Sequence, residues 1–365
     1  MNRLQEIDLK HALVREILDK YQADGLWFQT TRNIAWVTAG AEAGIMADSE
    51  TGSYSVLFTR DKRMVFTQNI EFPRLRDEEK FESFGFEMHV FDWTRLDHPL
   101  DHADLRASLH MLQVITDRQV EADLWAHRIQ LMEPEHTRLR ALGADAAAAL
   151  EEAISATRPG DSEWTIGARL DAACRQRGGL AVVNLIATDD RISHFRHPFM
   201  TDKQVEKLVM MVVCMRRGGL VVAGTRFAHF GKVPAELHEK NRKIATVDAT
   251  AMIASTPGRT LSDIFADIQA AYTAVGEDGQ WKQHHQGGLI SYSSRERLAK
   301  PGETTTIPLG GACAWNPSIV GIKSEDTILV SENGFEIVTA HSERFPTVEV
   351  TVNGKTVKRP GVLEL

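Results

Sequence analysis

The chain is poor in cysteine. Cys174, Cys214 and Cys313 are the three it has in 365 residues, far apart and odd in number. They do not suggest a disulfide framework, and no Cys-x-x-Cys pair offers the start of a zinc site. That scarcity suits a reducing compartment, and the expected location is the cytoplasm. Long apolar runs are missing too. No stretch approaches the roughly 18 residues that mark a membrane span, and the N-terminal segment lacks the apolar core of a signal peptide. There is no excess of positive charge, since the net charge is −8. Basic pairs such as Arg216-Arg217 are isolated and read as solvated turns. Neither a nucleic acid nor a membrane is therefore an expected partner. What is present, 43% hydrophobic and 25% charged residues, is ordinary for a globular protein with room for two domains.

The first part of the chain alternates helical and strand-like stretches. Ala12, Leu13, Ile17 and Leu18 recur at helical spacing, and Leu26-Trp27-Phe28 reads as a strand after Asp24-Gly25. Ile34 to Val37 is expected to be another strand. Tyr54 to Phe58 and Met64 to Phe66 flank the turn-like Arg60-Asp61-Lys62, and the charged run from Arg74 to Lys80 reads as an exposed helix. Met88 to Phe91 and Val114-Ile115 complete an expected α/β domain over residues 1–128. Residues 129–365 form a second domain. Here Leu139, Leu142, Ala146, Leu150 and Ile154 make a helical stripe that ends at Arg158-Pro159-Gly160, and Asp161-Ser162 caps a further helix through Ile166, Leu170 and Ala173. The plan repeats 98 residues later: Pro257-Gly258, Ile264, Ile268, Ala271 and Gly276 stand in register with Pro159-Gly160, Ile166, Leu170, Ala173 and Gly178. Such a repeat implies an internal duplication, with the segments that follow each copy on related sides of one cleft.

Those segments carry the chemistry. After the first copy come His194-Phe195-Arg196-His197, the buried-strand run Leu208 to Met215, and Thr225-Arg226 with His229. After the second come His284-His285-Gln286-Gly287-Gly288, Tyr292 to Glu296 with Arg295, Trp315-Asn316-Pro317, and Lys323-Ser324-Glu325-Asp326. An imidazole can take a proton from water and return it to a leaving nitrogen near neutral pH, so His194, His197, His284 and His285 are catalytic candidates together with Glu325. Nothing in the sequence separates His194 from His197, or His284 from His285. Arg196, Arg226, His229, Tyr292, Arg295, Asn316 and Lys323 are candidate substrate-binding groups. Arg295 has the planar donor fork that grips a carboxylate, although an internal pair with Glu296 would also explain it. Asn316 can both donate and accept.

Taken with the duplicated helix-turn-helix plan, these motifs resemble the creatinase/aminopeptidase P (pita-bread) superfamily along nearly the whole chain. The resemblance implies an α/β creatinase-like N-terminal domain, an α+β pita-bread C-terminal domain with pseudo-twofold duplication, and a homodimer. Metallopeptidases of that superfamily hold two metal ions with two aspartates, a histidine and two glutamates. Counting from Thr225-Arg226, the aspartate positions fall on Val212 and Ala223, and one glutamate position falls on Asn316. One of His284 and His285, with Glu325, is what remains of the ligand set. No metal ligand and no cofactor is therefore expected. Creatinase implies the alternative: hydrolysis of a non-peptide C–N bond in a small amino-acid-like compound, with a histidine as general acid and base and no metal. A non-catalytic ligand-binding protein, a metal-dependent Xaa-Pro-type peptidase and a lyase are the other readings of the same fold.

Overall fold

In a computed structural model, residues 1–94 and 113–365 are described. The chain divides into two compact units, one of residues 1–128 with 132–134, the other of residues 129–131 with 135–365. In the first, α1 (Arg3–Tyr21) begins at a capping box in which Asn2 and Gln5 satisfy each other's backbone N–H. Its Val14, Ile17 and Leu18 are buried. Five strands follow: β1 (Gly25–Thr30), β2 (Thr51–Thr59), β3 (Arg63–Gln68), β4 (Phe86–Phe91) and β5 (Val114–Thr116), ordered β4-β3-β2-β1-β5. Trp27, Leu57, Met64 and Phe66 pack into one cluster on the sheet.

The expected strand over Ile34 to Val37 is instead part of helix α2 (Thr31–Val37). Ile34, Ala35, Trp36 and Val37 are all buried. A short apolar run that is buried all round has no periodicity to tell a helix from a strand. The charged run after Phe72 forms a single helical turn and then a five-residue π turn over Leu75–Glu79, with Leu75 buried beneath it. Helix α3 (Glu121–Arg128) closes the unit.

The second unit shows the duplication directly. Helices α4 (Glu133–Ser155) and α5 (Glu163–Gln176) form one pair, and α6 (Ala235–Ala254) and α7 (Leu261–Ala274) the other. The side chain of Ser162 caps α5 and that of Thr260 caps α7, each accepting from the backbone N–H three residues on. The intervening turns are clipped in the same way: Gly160 N–H donates to Val205 O at 2.9 Å, and Gly258 N–H to Ile307 O at 2.8 Å. The first half continues into β6 (Leu180–Thr188), β7 (Leu208–Arg217) and β8 (Leu220–His229), an antiparallel sheet extended by the parallel β18 (Val362–Glu364). The second continues into β9 (Gly287–Leu289), β10 (Arg297–Leu298), β11 (Ala312–Trp315), β14 (Asp326–Ser331) and β15 (Gly334–Ile337), with the short ribbon β12 (Ser318–Ile319) and β13 (Ile322–Lys323) between. The two sheets meet where Thr225 N–H donates to Glu325 O at 3.1 Å. A hairpin of β16 (Thr347–Val352) and β17 (Lys355–Pro360) turns at Asn353 and Gly354, both at positive φ.

Candidate active site

Strand pairing decides which side chains share a face. Val212 on β7 sits opposite Thr225 on β8, and Cys214 sits opposite Ala223. Directly opposed residues point to the same side of a sheet, as do residues two apart on one strand. Val212, Cys214, Ala223 and Thr225 therefore share one face, and it is the face on which Glu325 lies, because Thr225 Oγ1 donates to Glu325 Oε2 at 2.7 Å. Glu325 is 1% exposed. Its other oxygen accepts from Arg295 Nη2 at 3.0 Å, and Lys323 Nζ lies 2.7 Å from Oε2. Burial alone would raise its pKa, but Lys323 and Arg295 outweigh burial and hold the carboxyl down at about 2. Arg295 thus pairs with Glu325, while Glu296 accepts from Ser291 Oγ and Tyr292 N–H. Asn316 follows Trp315, whose partner is Asp326, so it stands across the ladder from Glu325.

Three histidines gather beside this group. His197 lies in the loop before β7; His284 and His285 lead into β9. His284 Nε2 and His197 Nε2 are 3.0 Å apart, and one nitrogen atom from each of the three rings lies within 4.8 Å of the others. On its far side His284 Nδ1 is 3.4 Å from Ser318 Oγ. Burial, then the positive charge of Lys323, drives His284 down to about 2, and burial with Arg295 brings His285 to about 4. His197, whose side chain reaches solvent, is lowered in the same sense. All three rings are therefore neutral at physiological pH. The contact between His284 and His197 is a hydrogen bond between imidazoles, one ring nitrogen carrying the proton and the other accepting it. Gly287 and Gly288 let β9 run close to its neighbours β11 and β10. A side chain at Gly287, where φ is +99°, would place its Cβ 2.0 Å from Ala314 O.

Of the other sequence candidates, Arg196 lines a small pocket with Ser318 and Lys323, and the rest lie elsewhere. His194 ends a short helix (Asp190–His194), exposed, 3.7 Å from Asp190. Arg196 donates to Ile319 O and Gln280 Oε1. Arg226 points to the opposite face of β8 and pairs with Asp326 at 3.1 Å, fully buried. His229 has its Nδ1 3.1 Å from Gly231 O at the end of the strand. Tyr292 OH donates to Glu135 at 2.6 Å. Sequence reasoning missed Thr225, Ser318 and Cys214. Cys214 is buried, its thiol pushed up by burial, with Arg295, Glu325 and Lys323 as charged neighbours. It lies two residues from Val212, and strand alternation alone would have found it. Behind the strand a sealed network joins Asp326 to Arg226, Thr339 and Arg359, and Arg359 to Asp248 at 2.6 Å. A cavity of about 400 Å³ opens on this rear side, lined by Asp326, Phe335, His341, Lys358 and Arg359 among others.

The family model for metallopeptidase family M24 matches residues 137–332, more than half of the chain. The chain belongs to this family. No curated protein matches it at the sequence level. Among solved structures, it is similar to the Xaa-Pro dipeptidase from Bacillus anthracis, at 17% identity and a TM-score of 0.73, covering 98% of this chain and 100% of that one. It is likewise similar to the prolidase from Pyrococcus horikoshii OT3, at 17% identity and a TM-score of 0.71, covering 92% and 99%. The N-terminal domain of the FACT complex subunit SPT16 from Cicer arietinum (chickpea) also matches, at 11% identity, a TM-score of 0.67, and 93% and 97% coverage. The family match, with the fold shared with these structures, establishes the creatinase/aminopeptidase P superfamily and its pita-bread fold. At the positions that the resemblance gives to the family's metal-binding aspartates, the donor set does not suit a metal pair. Val212 and Ala223 offer no lone pair on the face where Glu325 lies, and Glu325 is already held by two cations and a hydroxyl.

Proposed function

We propose that this M24 protein is a hydrolase that cleaves a non-peptide C–N bond in a small amino-acid-like compound without a metal pair. The observation that carries this reading is the His197–His284 contact, a neutral pair of bases 3.0 Å apart beside Glu325, at a site where two carboxylate positions are apolar. In this scheme His197, which reaches solvent, takes a proton from the attacking water and returns it to the leaving nitrogen, while His284, hydrogen-bonded to it, holds its ring in place. Ser318 orients the His284 ring, and His285 packs against both. Glu325, locked as a carboxylate, sets the field around the imidazoles and positions Lys323 and Arg295. Asn316 would orient the substrate from across the strand. His194, Arg196, Arg226, His229 and Tyr292 are better suited to supporting roles. By the superfamily resemblance we infer a homodimer. Among the described residues no helix is long and apolar enough to cross a membrane, and the scarcity of cysteine is what supports a cytoplasmic location.

A second reading is a metal-dependent Xaa-Pro peptidase. The family and the prolidase-like neighbours favour it over the first; the donor set opposes it. A non-catalytic ligand-binding protein is the third reading. One experiment separates them. Protein freed of metal by chelation, with its metal content measured, is offered a panel of guanidino, carbamoyl and cyclic amidine amino acids and Xaa-Pro dipeptides. Turnover of a panel member by metal-free protein is expected. Turnover confined to Xaa-Pro dipeptides and restored only by added manganese or cobalt overturns the proposal, and saturable binding with no turnover supports the ligand-binding role instead.

A further inference from the structure

We infer that this site takes an anionic substrate, a small carboxylate, and excludes a cationic one, with Lys323 as the residue that sets this choice. The inference rests on the hydrolase reading only for the word substrate; the charge argument is independent of turnover. The groups around the histidines are Lys323, Arg295 and Glu325, with three neutral imidazoles and a neutral thiol. They sum to one positive charge in a buried setting. Glu325 would be the natural holder of a substrate cation, but both its oxygens are engaged: Arg295 on one, Lys323 and Thr225 on the other. A cation entering here would meet two like charges before it met a carboxylate with spare capacity.

The donors and acceptors left over describe the guest. Lys323 is 7% exposed, and among the described residues Glu325 is its sole partner, so two of its three N–H groups face no protein acceptor. Arg295 Nε is buried without a partner, as is Asn316 Oδ1 on a residue 2% exposed. Unpaired buried groups of this kind are costly unless a ligand satisfies them. Arg295 Nε–H and the spare Lys323 N–H groups suit a carboxylate, while Asn316 Oδ1 suits the N–H of an amide. A carboxylate and an N–H donor in one small molecule fit this pattern. Neutralising Glu325 from within is what changes the site: Lys323 turns a carboxylate that would attract cations into the base of an anion subsite.

The test is binding, read by calorimetry and thermal shift, with three probes of similar size: N-acetylglycine, its uncharged amide N-acetylglycinamide, and the cation agmatine. N-acetylglycine is expected to bind saturably and more weakly as salt rises, the amide about tenfold or more weaker, and agmatine not at all. K323M should lose the preference for acid over amide and gain affinity for agmatine, because Glu325 is released. K323R, the conservative variant, should retain the acid preference, and the wild-type ranking stands by itself if K323M does not fold. Equal binding of acid and amide, preference for agmatine, or binding of none of the three overturns the inference. Acid binding with no turnover of any C–N compound would leave it standing and remove the hydrolase proposal. Metal-free turnover of a cationic compound would do the reverse.

Discussion

Lowering the pH should destabilise the protein from the histidine side before any carboxylate responds. His284 and His285 are held neutral with folded pKa values of about 2 and about 4, against 6.5 when unfolded. Below 6.5 the unfolded chain takes up protons at these rings and the native state does not, so stability is full above that pH and falls as pH drops. At about pH 5 each ring costs roughly 2 kcal/mol, or about 4 kcal/mol for the two. That is a large part of a typical total of about 5–15 kcal/mol. Glu325 acts in the same direction but later: its depressed pKa of about 2, against 4.5, stabilises above 4.5, and that contribution is lost between there and about 2. The assay is urea unfolding at about pH 8, 7, 6 and 5, for wild type and for a variant carrying H284N and H285N. Wild type should lose stability steadily below about pH 6.5, and the variant should show a shallower slope, the remainder coming from other buried histidines such as His11, which burial brings to about 4. A flat wild-type profile across this range, or an identical slope in the variant, would refute the argument that burial and Lys323 keep these rings neutral.

Two other outcomes follow from the geometry. H197A should lower kcat by about 100-fold or more while circular dichroism stays native, whereas H194A should stay within about twofold of wild type, since His194 is exposed beside Asp190; steady-state kinetics on the substrate identified by the panel decides between them. G287A should destabilise by about 2–4 kcal/mol, because its Cβ would run into the backbone of Ala314 and Trp315 at a positive φ, and thermal unfolding measures it.

The sequence reveals much of the fold for reasons visible in single residues. The run from Leu208 to Met215 has one reading, a buried strand, and Gly218-Gly219 then turns it back. The helix pairs show their kinship because caps and turn glycines recur at one spacing: α5 and α7 span Glu163–Gln176 and Leu261–Ala274, offset by 98 residues at both ends. Ile34 to Val37 was misread because uniform burial erases periodicity. The site was legible as a set of residue types and not as an arrangement. His197 and His284 are 87 positions apart, and nothing local says that their rings meet, or that His194 stays on the surface. The pairing of Arg295 with Glu325 in place of its neighbour Glu296 is likewise a tertiary choice, made where a loop and a strand start come together.

Glu325 and Asp326 are adjacent and face opposite ways. Asp326 is fastened by Arg226, Thr339 and Arg359, all buried. A slide of β14 by one position would either put Glu325 among the arginines with Ser324 in the cleft, or put Asp326 in the cleft with Thr327 among the arginines. The rear network therefore works as a latch on strand position. With the latch shut from behind, substitutions on the cleft side, at Val212 or Ala223 for example, can change the chemistry there without moving the backbone that presents Glu325.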